Sequence, residues 1–308
     1  MKMDFTEIFC YVDDFLKELD AKTNFITNEN NKPGCKSRLN GSEIITIIIG
    51  YWQASYDCFK NYYLKQIWLY HQYDFKVVSY CQFIKLIGPY LPLLVLMLNT
   101  IFDKCDGVSF VDSSSIEVCK RYRISMHKVF AGIAARGKTT KGWFYGLKLH
   151  IIVNRSGGLV KASFSPGNKD DRKQLQLMIK GLFGKVFGDR GYISQKLFQE
   201  LLEQGVFMVT RVKKNMKNKL MSLVDKALLL KRALIESVFS KIKLLGKFEH
   251  SRHRSVTNAF VHMVAALINY QLSDNKPSIT SLLQRKFDLK NLCKPGITWE
   301  AAYFYSIM

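Results

Sequence analysis

Residues 185–212 read KVFGDRGYISQKLFQELLEQGVFMVTRV, and this stretch decides the fold class. It opens with a short apolar run, KVFGD at 185–189, and closes with a second, VFMVTRV at 206–212. Between them, SQKLFQELLEQG at 194–205 has helical spacing, with Ser194 as a predicted N-cap and a glycine at its end. A strand, helix and strand in this order predict two parallel strands of one sheet.

Three further strands are predicted upstream. GVSFVDSSS at 107–115 is the first, and GWFYGLKLHIIV at 142–153 forms a hairpin with LVKASF at 159–164 through the turn NRSGG. Helices are predicted over 171–182 and in one long stretch over 220–245. The order strand, strand, strand, helix, strand, helix, strand, helix is that of an α/β ribonuclease H-like fold, a mixed five-stranded sheet with flanking helices.

The first third of the chain has a different texture. Residues 1–103 predict a small helical domain, with Ser42 and Ser79 as candidate N-caps. The aromatic residues between these two serines are interpreted as core rather than as a platform for stacked bases. The predicted ribonuclease H-like domain covers 104–272, and the tail 273–308 has no clear structural prediction.

Charge points to a polyanionic partner. The 308 residues contain 46 Lys and Arg against 25 Asp and Glu, a formal net charge of +21. Segments 116–172 and 205–254 carry most of the excess, either as solvated faces of a very basic protein or as a binding surface for a polyanion. The apolar stretches 44–49 and 91–98 are too short to span a bilayer, so nucleic acid is predicted as the partner and a membrane is not.

The seven cysteines are scattered and form no C-x-x-C pair. An odd number without regular spacing is typical of reduced thiols and not of a disulfide framework or a zinc site. The sequence start, MKMDFTEIFC, is acidic and lacks the pattern of a signal peptide. These features predict a reducing, cytoplasmic location.

Three carboxylates stand out in the predicted strands and helices. Asp112 lies in the first strand, Asp189 ends the fourth, and Glu236 lies in the last helix. The first and fourth strands are neighbours in the predicted sheet, so Asp112 and Asp189 can face each other. Grouped carboxylates repel one another, and a divalent cation such as Mg²⁺ removes that cost. Taken singly, each acid has another interpretation, because Asp189 can be a turn residue and Glu236 can pair with a basic neighbour.

The helix around Glu236 places basic residues near it. Arg232 is four residues before Glu236 and Lys243 is seven after, on one helix face. The pattern is consistent with a surface ladder of ion pairs and equally with a metal ligand whose neighbours hold phosphates. Asp171 is interpreted as a helix start or structural partner in preference to a metal ligand.

Five blocks follow one another along the chain: FVDSSSIEVCKRYRISMHKVF, KGWFYGLKLHIIVNRSG, FSPGNKDDRK, VFGDRGY and RALIESVFSKIK. In this order they resemble a DDE-type insertion-sequence transposase and are most similar to the bacterial family of insertion sequence 982. The likeness runs from about residue 40 to 272. RALIESVFSKIK matches the family pattern R-x₃-E-x₆-K, and the position where related chains often have Tyr is Leu229 here.

The resemblance implies an enzyme with Asp112, Asp189 and Glu236 as its catalytic, metal-binding triad. Two Mg²⁺ ions are expected, with Mn²⁺ able to substitute. The expected DNA-binding residues are basic and lie close to the triad in sequence or in the two basic segments: Arg232, Lys243, Arg190, Lys213, Lys214, Lys120, Arg121 and Arg123.

The implied partners are double-stranded DNA, as terminal inverted repeats and as target, and a second copy of the chain in the synaptic complex. The helical domain 1–103 is expected to recognise the element ends, and the location is the bacterial cytoplasm near the nucleoid. The implied reaction is cleavage at transposon ends followed by strand transfer. The alternatives are a ribonuclease H-like nuclease or resolvase that cuts without joining, and a non-catalytic DNA-binding remnant of a decayed element.

Overall fold

The computed structural model describes residues 4–24, 37–54, 56–140, 142–211, 221–246, 248 and 253–279. The chain divides into two compact units. The first comprises Met1–Ile101, His127–Phe130 and Ile242–Asn275, and the second comprises Phe102–Met126, Ala131–Lys241 and Lys276–Met308.

The first unit is helical. Capping boxes begin three of its helices, at Asp4, Asn40 and Ser79. A π-helical turn, Tyr63–Ile67, and a 3₁₀ turn, Gly88–Tyr90, connect short helices in the middle of the unit. The helices are α1 (Phe5–Thr23), α2 (Gly41–Tyr51), α3 (Phe59–Tyr62), α4 (Trp68–Tyr70), α5 (Tyr80–Leu86) and α6 (Leu91–Ile101).

Apolar side chains fill the interior of this unit. Ile44, Ile47 and Ile48 of α2 are completely buried, and α1 packs against this helix. Tyr62 and Tyr63 are also completely buried, which confirms that the aromatic segment is core and not a stacking surface. The predicted cap Ser42 was wrong by two residues, because Asn40 caps α2.

The second unit is built on a six-stranded mixed sheet. The five predicted strands are present, and one strand more, β2, was not predicted. The strands are β1 (Val108–Glu117), β2 (Ala135–Thr139), β3 (Gly142–Val153), β4 (Leu159–Pro166), β5 (Gly184–Gly188) and β6 (Val206–Thr210). The helices are α7 (Asp171–Met178), α8 (Gln195–Glu203), α9 (Leu223–Leu230) and the larger part of α10 (Ala233–Gly246), whose residues from Ile242 onward belong to the first unit.

Strand pairing places β1 between β3 and β5. β1 is antiparallel to β3 and parallel to β5, and β6 extends the sheet in parallel beside β5. On its other side, β3 pairs first with β2 and then with β4. This is the strand order that the sequence predicted.

One buried cluster covers one face of this sheet. Val111 and Val186 from the strands pack with Leu175 of α7 and Leu201 of α8. Because side chains alternate along a strand, the neighbours of these valines point to the opposite face. Asp112 is one of those neighbours.

The predicted helix over 220–245 is two helices, which corrects the sequence reading. α9 ends at Leu230 and α10 begins at Ala233, and the two residues between them form a turn. The backbone N–H of Lys231 donates to the carbonyls of Ala227 and Leu228, which tightens the last turn of α9. The apolar spacing continues through the turn, so periodicity alone did not show it.

The last helix, α11 (Val256–Leu272), belongs to the first unit. It packs against α6, and twelve of its residues are buried. Within the described ranges, one helical run, Tyr80–Ile101, is long and apolar enough to cross a membrane by length and composition. The run has 22 residues because residues 80–90 precede the apolar stretch 91–98, which alone is too short to span a bilayer. Leu94 and Met97 of this run are buried, and about a third of its apolar window is buried in all.

Candidate active site

Asp112 lies near the middle of β1 and is largely buried. The backbone N–H of Ser113 donates to its Oδ1 at 2.8 Å, and Nη1 of Arg232 donates to its Oδ2 at 3.2 Å. The side chain is 23% exposed. Strand pairing on both sides of β1 therefore holds this carboxylate in a defined place.

Asp189 follows the last residue of β5. Phe110 pairs with Phe187 in the parallel ladder, and Asp112 and Asp189 each lie two residues beyond that pair. The backbone of Asp189 is still extended, with φ −77° and ψ 169°, and the 3₁₀ turn Arg190–Tyr192 begins after it. Register and alternation therefore bring the two aspartates to neighbouring positions on the same face of the sheet.

Arg232 and Glu236 come from the turn before α10 and from its first turn. Leu234, Ile235 and Val238 of this helix are completely buried, so the helix is fixed by its apolar face. Glu236 lies on the other side and is mainly exposed. The break after α9 puts Arg232 outside regular helix, where its side chain reaches back to the sheet.

One guanidinium contacts all three predicted acids. Nη2 of Arg232 donates to Oε1 of Glu236 at 3.2 Å and lies 3.9 Å from Oδ1 of Asp189, while Nη1 binds Asp112. Asp112 comes from within β1, Asp189 follows the end of β5, and Arg232 and Glu236 come from the helical segment. Three carboxylates against one guanidinium leave the cluster with an excess of negative charge.

Burial raises the pKa of Asp112 to about 6. The negative charges of Asp189 and Glu236 add to this rise, and the Ser113 N–H and Arg232 oppose it without offsetting it. Asp112 therefore holds its proton more strongly than a carboxyl group in water does.

A cavity of about 150 Å³ opens beside the cluster. Asp189 and Glu236 supply acidic atoms to its wall, Arg211 and Arg232 supply basic ones, and leucines close one side. The lining residues are Gly188, Asp189, Arg211, Leu229, Leu230, Arg232, Ala233 and Glu236.

In the part of the chain that the structure describes, no three His, Cys, Asp or Glu side chains are gathered as a metal cluster. The three carboxylates contact Arg232 instead. The chemistry of the donor set nevertheless fits a divalent cation, because carboxylate oxygens are the ligands such ions prefer and the cluster keeps unneutralised negative charge.

Comparison with protein families identifies the chain. Residues 102–256 match the family model described as "Transposase DDE domain". The chain belongs to this family. The transposase is thus an enzyme that breaks and rejoins phosphodiester bonds, and family membership implies that it depends on a divalent metal. Comparison with curated proteins gives no match.

Solved structures support the fold of the transposase. The piggyBac transposase synaptic complex with hairpin DNA aligns over 100% of this chain and 83% of its own, with a TM-score of 0.50 and 11% identity. This likeness confirms the ribonuclease H-like fold class. The Mos1 mariner paired end complex with Mn aligns over 84% of each chain at 9% identity, with a TM-score of 0.24. A simian T-cell lymphotropic virus intasome aligns over 57% of this chain and 58% of its own at 11% identity, with a TM-score of 0.30. These last two scores are too low to bear on the fold.

The predicted DNA-binding residues lie in several places. Arg190 is exposed and follows Asp189 directly. Lys120, Arg121 and Arg123 are exposed in and before the 3₁₀ turn that follows β1. The remaining predictions are Arg232, which contacts the acids, Lys243, which lies in α10 and is half-buried, and Lys213 and Lys214, which lie outside the described residues.

Sequence reasoning missed a polar network beside Asp112. The hydroxyl of Ser113 donates to Oδ2 of Asp171 at 2.8 Å, and Nζ of Lys148 donates to Oδ1 of the same carboxylate at 2.7 Å. Asp171 is the first residue of α7, so its interpretation as a helix start and structural partner agrees with the structure. Lys148 lies on β3 two residues before His150, the strand partner of Ser113, and this register was not predicted from the sequence.

Proposed function

We propose that Asp112, Asp189 and Glu236 are the acidic triad of this transposase and hold two Mg²⁺ ions, for which Mn²⁺ can substitute. The observation that carries the proposal is the contact of all three carboxylates with the single guanidinium of Arg232. A site that gathers three acids around one cation has the ligand type and the charge for divalent ions.

The chain's own residues fix the geometry of the reaction. The Ser113 N–H orients the Asp112 carboxylate within β1, and Leu229 and Leu230 contribute apolar surface to the lining of the cavity. Bound divalent ions supply a more acidic attacking water and stabilise charge on the phosphodiester. Carboxylates bind divalent ions in their ionised form, so binding at Asp112 would displace any proton that this residue holds.

The substrate in this proposal is double-stranded DNA. The chain cuts at terminal inverted repeats, and the freed 3′-hydroxyl attacks a phosphodiester of target DNA, with departure of the target 3′-oxygen. Basic side chains bind the backbone phosphates of the DNA, so the affinity for DNA falls steeply with salt. These residues are the exposed Arg190, Lys120, Arg121 and Arg123, together with Lys213, Lys214 and Lys243. Arg232 is also proposed to bind DNA.

Further parts of the proposal concern the transposon family, the recognition of the transposon ends and the number of protein copies in the complex. The five sequence blocks support membership of the insertion sequence 982 group. The helical segment 1–103 is proposed to recognise the element ends, and two copies of the chain are proposed to hold the two ends in a synaptic dimer.

The decisive experiment compares Asp189→Ala with Asp106→Ala. Asp106 is an exposed aspartate of the same unit that pairs with Arg155 and lies outside the cluster. With Mg²⁺ or Mn²⁺ and DNA carrying the terminal repeats, Asp189→Ala is expected to lose cleavage and joining while keeping DNA binding. Asp106→Ala is expected to keep all three.

Three outcomes contradict parts of the proposal. Full activity of Asp189→Ala removes this residue from the site. Cleavage without joining by the unmodified protein assigns it to the nucleases or resolvases. Binding to DNA without either reaction marks the chain as a non-catalytic remnant.

A further inference from the structure

Arg232 occupies an unusual position for a residue expected to bind DNA. Its side chain is only 21% exposed and makes ion pairs with three acids on three different segments. The side chain of a basic residue that binds DNA phosphate is normally exposed to solvent in the free protein. The structure places this one where the carboxylates need a positive charge.

We infer that Arg232 is the resident counter-cation of the acid cluster and competes with divalent ions for the same oxygen atoms. This inference rests on the proposed function, since it takes the three acids as the ion ligands. Oδ2 of Asp112 and Oε1 of Glu236 are each 3.2 Å from a guanidinium nitrogen. A divalent ion bound at about 2.1 Å to such oxygens repels a guanidinium held this close.

The local backbone lets Arg232 give way without unfolding a helix. The residue lies in the two-residue turn between α9 and α10, and its own N–H donates to the carbonyl of Leu229 in a long bond of 3.4 Å. Its side chain already lines the cavity beside the cluster, where Arg211 supplies another positive charge. The guanidinium therefore has an adjacent polar space to enter when an ion displaces it.

Displacement couples two binding events. An ion that takes the carboxylates turns the Arg232 guanidinium into a free cation at the wall of the cavity, available to a DNA phosphate. By linkage, a phosphate that holds Arg232 away from the acids strengthens ion binding by the same factor. Binding of divalent ions and binding of DNA by the transposase then strengthen each other.

The test measures Mn²⁺ binding to the full chain without DNA, by calorimetry and by electron paramagnetic resonance of free Mn²⁺. Arg232→Gln is expected to bind Mn²⁺ about tenfold more tightly than the unmodified chain, because removing the competing charge is worth at least one decade in the binding constant. Arg232→Lys is expected to lie between the two, since an ammonium group cannot reach three carboxylates at once.

The matched control is Arg172→Gln. Arg172 belongs to the same unit and pairs with Asp170 at the start of α7, outside the cluster, so this change removes the same charge from the surface. Its Mn²⁺ affinity is expected to stay within about twofold of the unmodified chain, because exposed charges at a distance are screened. Equal gains in Arg172→Gln and Arg232→Gln overturn the inference by showing an effect of net charge alone.

The Asp112→Asn variant distinguishes failure of the proposed ion site from failure of the proposed competition by Arg232. If Asp112→Asn weakens Mn²⁺ binding and Arg232→Gln does not strengthen it, the acid site stands and the competition by Arg232 is wrong. If Asp112→Asn leaves Mn²⁺ binding unchanged, the proposed ion site itself is wrong. Should Arg232→Gln fail to fold, the intermediate affinity expected of Arg232→Lys decides the question, and an unchanged affinity there overturns the inference.

Discussion

At the scale of single residues, Tyr192 shows how the site constrains its surroundings. Its hydroxyl is buried and, within the described part of the chain, has no well-aligned hydrogen-bond partner, although the Ser113 side chain is close enough to interact with it. Burial raises the pKa of Tyr192 well above its usual value, and the charges of Asp112 and Asp171 raise it further. The phenol therefore stays neutral, and its unpaired hydroxyl is a cost in the folded state.

Replacing Tyr192 with Phe removes that cost. The free energy of unfolding of Tyr192→Phe is expected to be unchanged or higher by up to about 1 kcal/mol, because no hydrogen bond is lost. Urea unfolding followed by circular dichroism measures it.

Tyr62→Phe is the matched control for this change. The buried Tyr62 hydroxyl donates to the carbonyl of Ile47 at 3.1 Å, so Tyr62→Phe loses a buried hydrogen bond and is expected to destabilise by about 1 kcal/mol. Equal destabilisation by the two substitutions would show that the Tyr192 hydroxyl has a partner after all.

At the scale of elements, the pairing of β1 and β3 sets where Asp112 stands. Gly146 lies in β3 opposite Glu117 at one end of this ladder and opposite Ala135 of β2. A β-carbon at this glycine would overlap the carbonyl oxygen of Ile116. The close approach of three strands here requires glycine.

Gly146→Ala is therefore expected to lower the free energy of unfolding by about 2 kcal/mol or more, since backbone atoms must shift. Gly191→Ala is the control, because a β-carbon there meets no atom within 4 Å and its φ is not positive. Thermal unfolding of both variants measures the difference. Equal melting temperatures would contradict the crowding at Gly146.

The element scale is also where sequence prediction succeeded most. The boundaries of β3 agree with the predicted 142–153, and the helix after Ser194 begins where its cap was predicted. These signals are local, because alternation, caps and turn residues act within a few positions. The added strand β2 was missed because ARGKT contains polar and small residues and forms a strand only by pairing with β3.

At the scale of the whole molecule, both units bury neutral histidines. Burial lowers the pKa of His150 to about 4, of His253 to about 4 and of His262 to about 3. Unfolded histidine takes up a proton near pH 6.5, so these groups stabilise the folded chain fully above that pH. The stabilisation is lost as the pH falls from 6.5 toward the folded values. Asp112 acts in the opposite direction below pH 6 because its pKa is raised.

The free energy of unfolding is therefore expected to fall between pH 6.5 and 5, by roughly 2 kcal/mol for each fully buried histidine before the opposing effect of Asp112. Urea unfolding at a series of pH values measures the slope. His262→Gln is expected to reduce the slope whatever it does to stability at pH 7.5. An unchanged slope in this variant would show that His262 is not the responsible group.

Local sequence patterns predicted the mixed sheet and five of its strands, and they singled out three acids and Arg232 as candidates for the site. These follow from alternation, capping and motif spacing, which depend on neighbouring residues. Three features are visible in the tertiary structure alone. Arg232 lies among the three acids, the predicted helix 220–245 is interrupted by a turn at Arg232, and Lys148 and Ser113 both bind Asp171. Such contacts join segments up to 120 residues apart and depend on strand register and burial, which no local pattern contains.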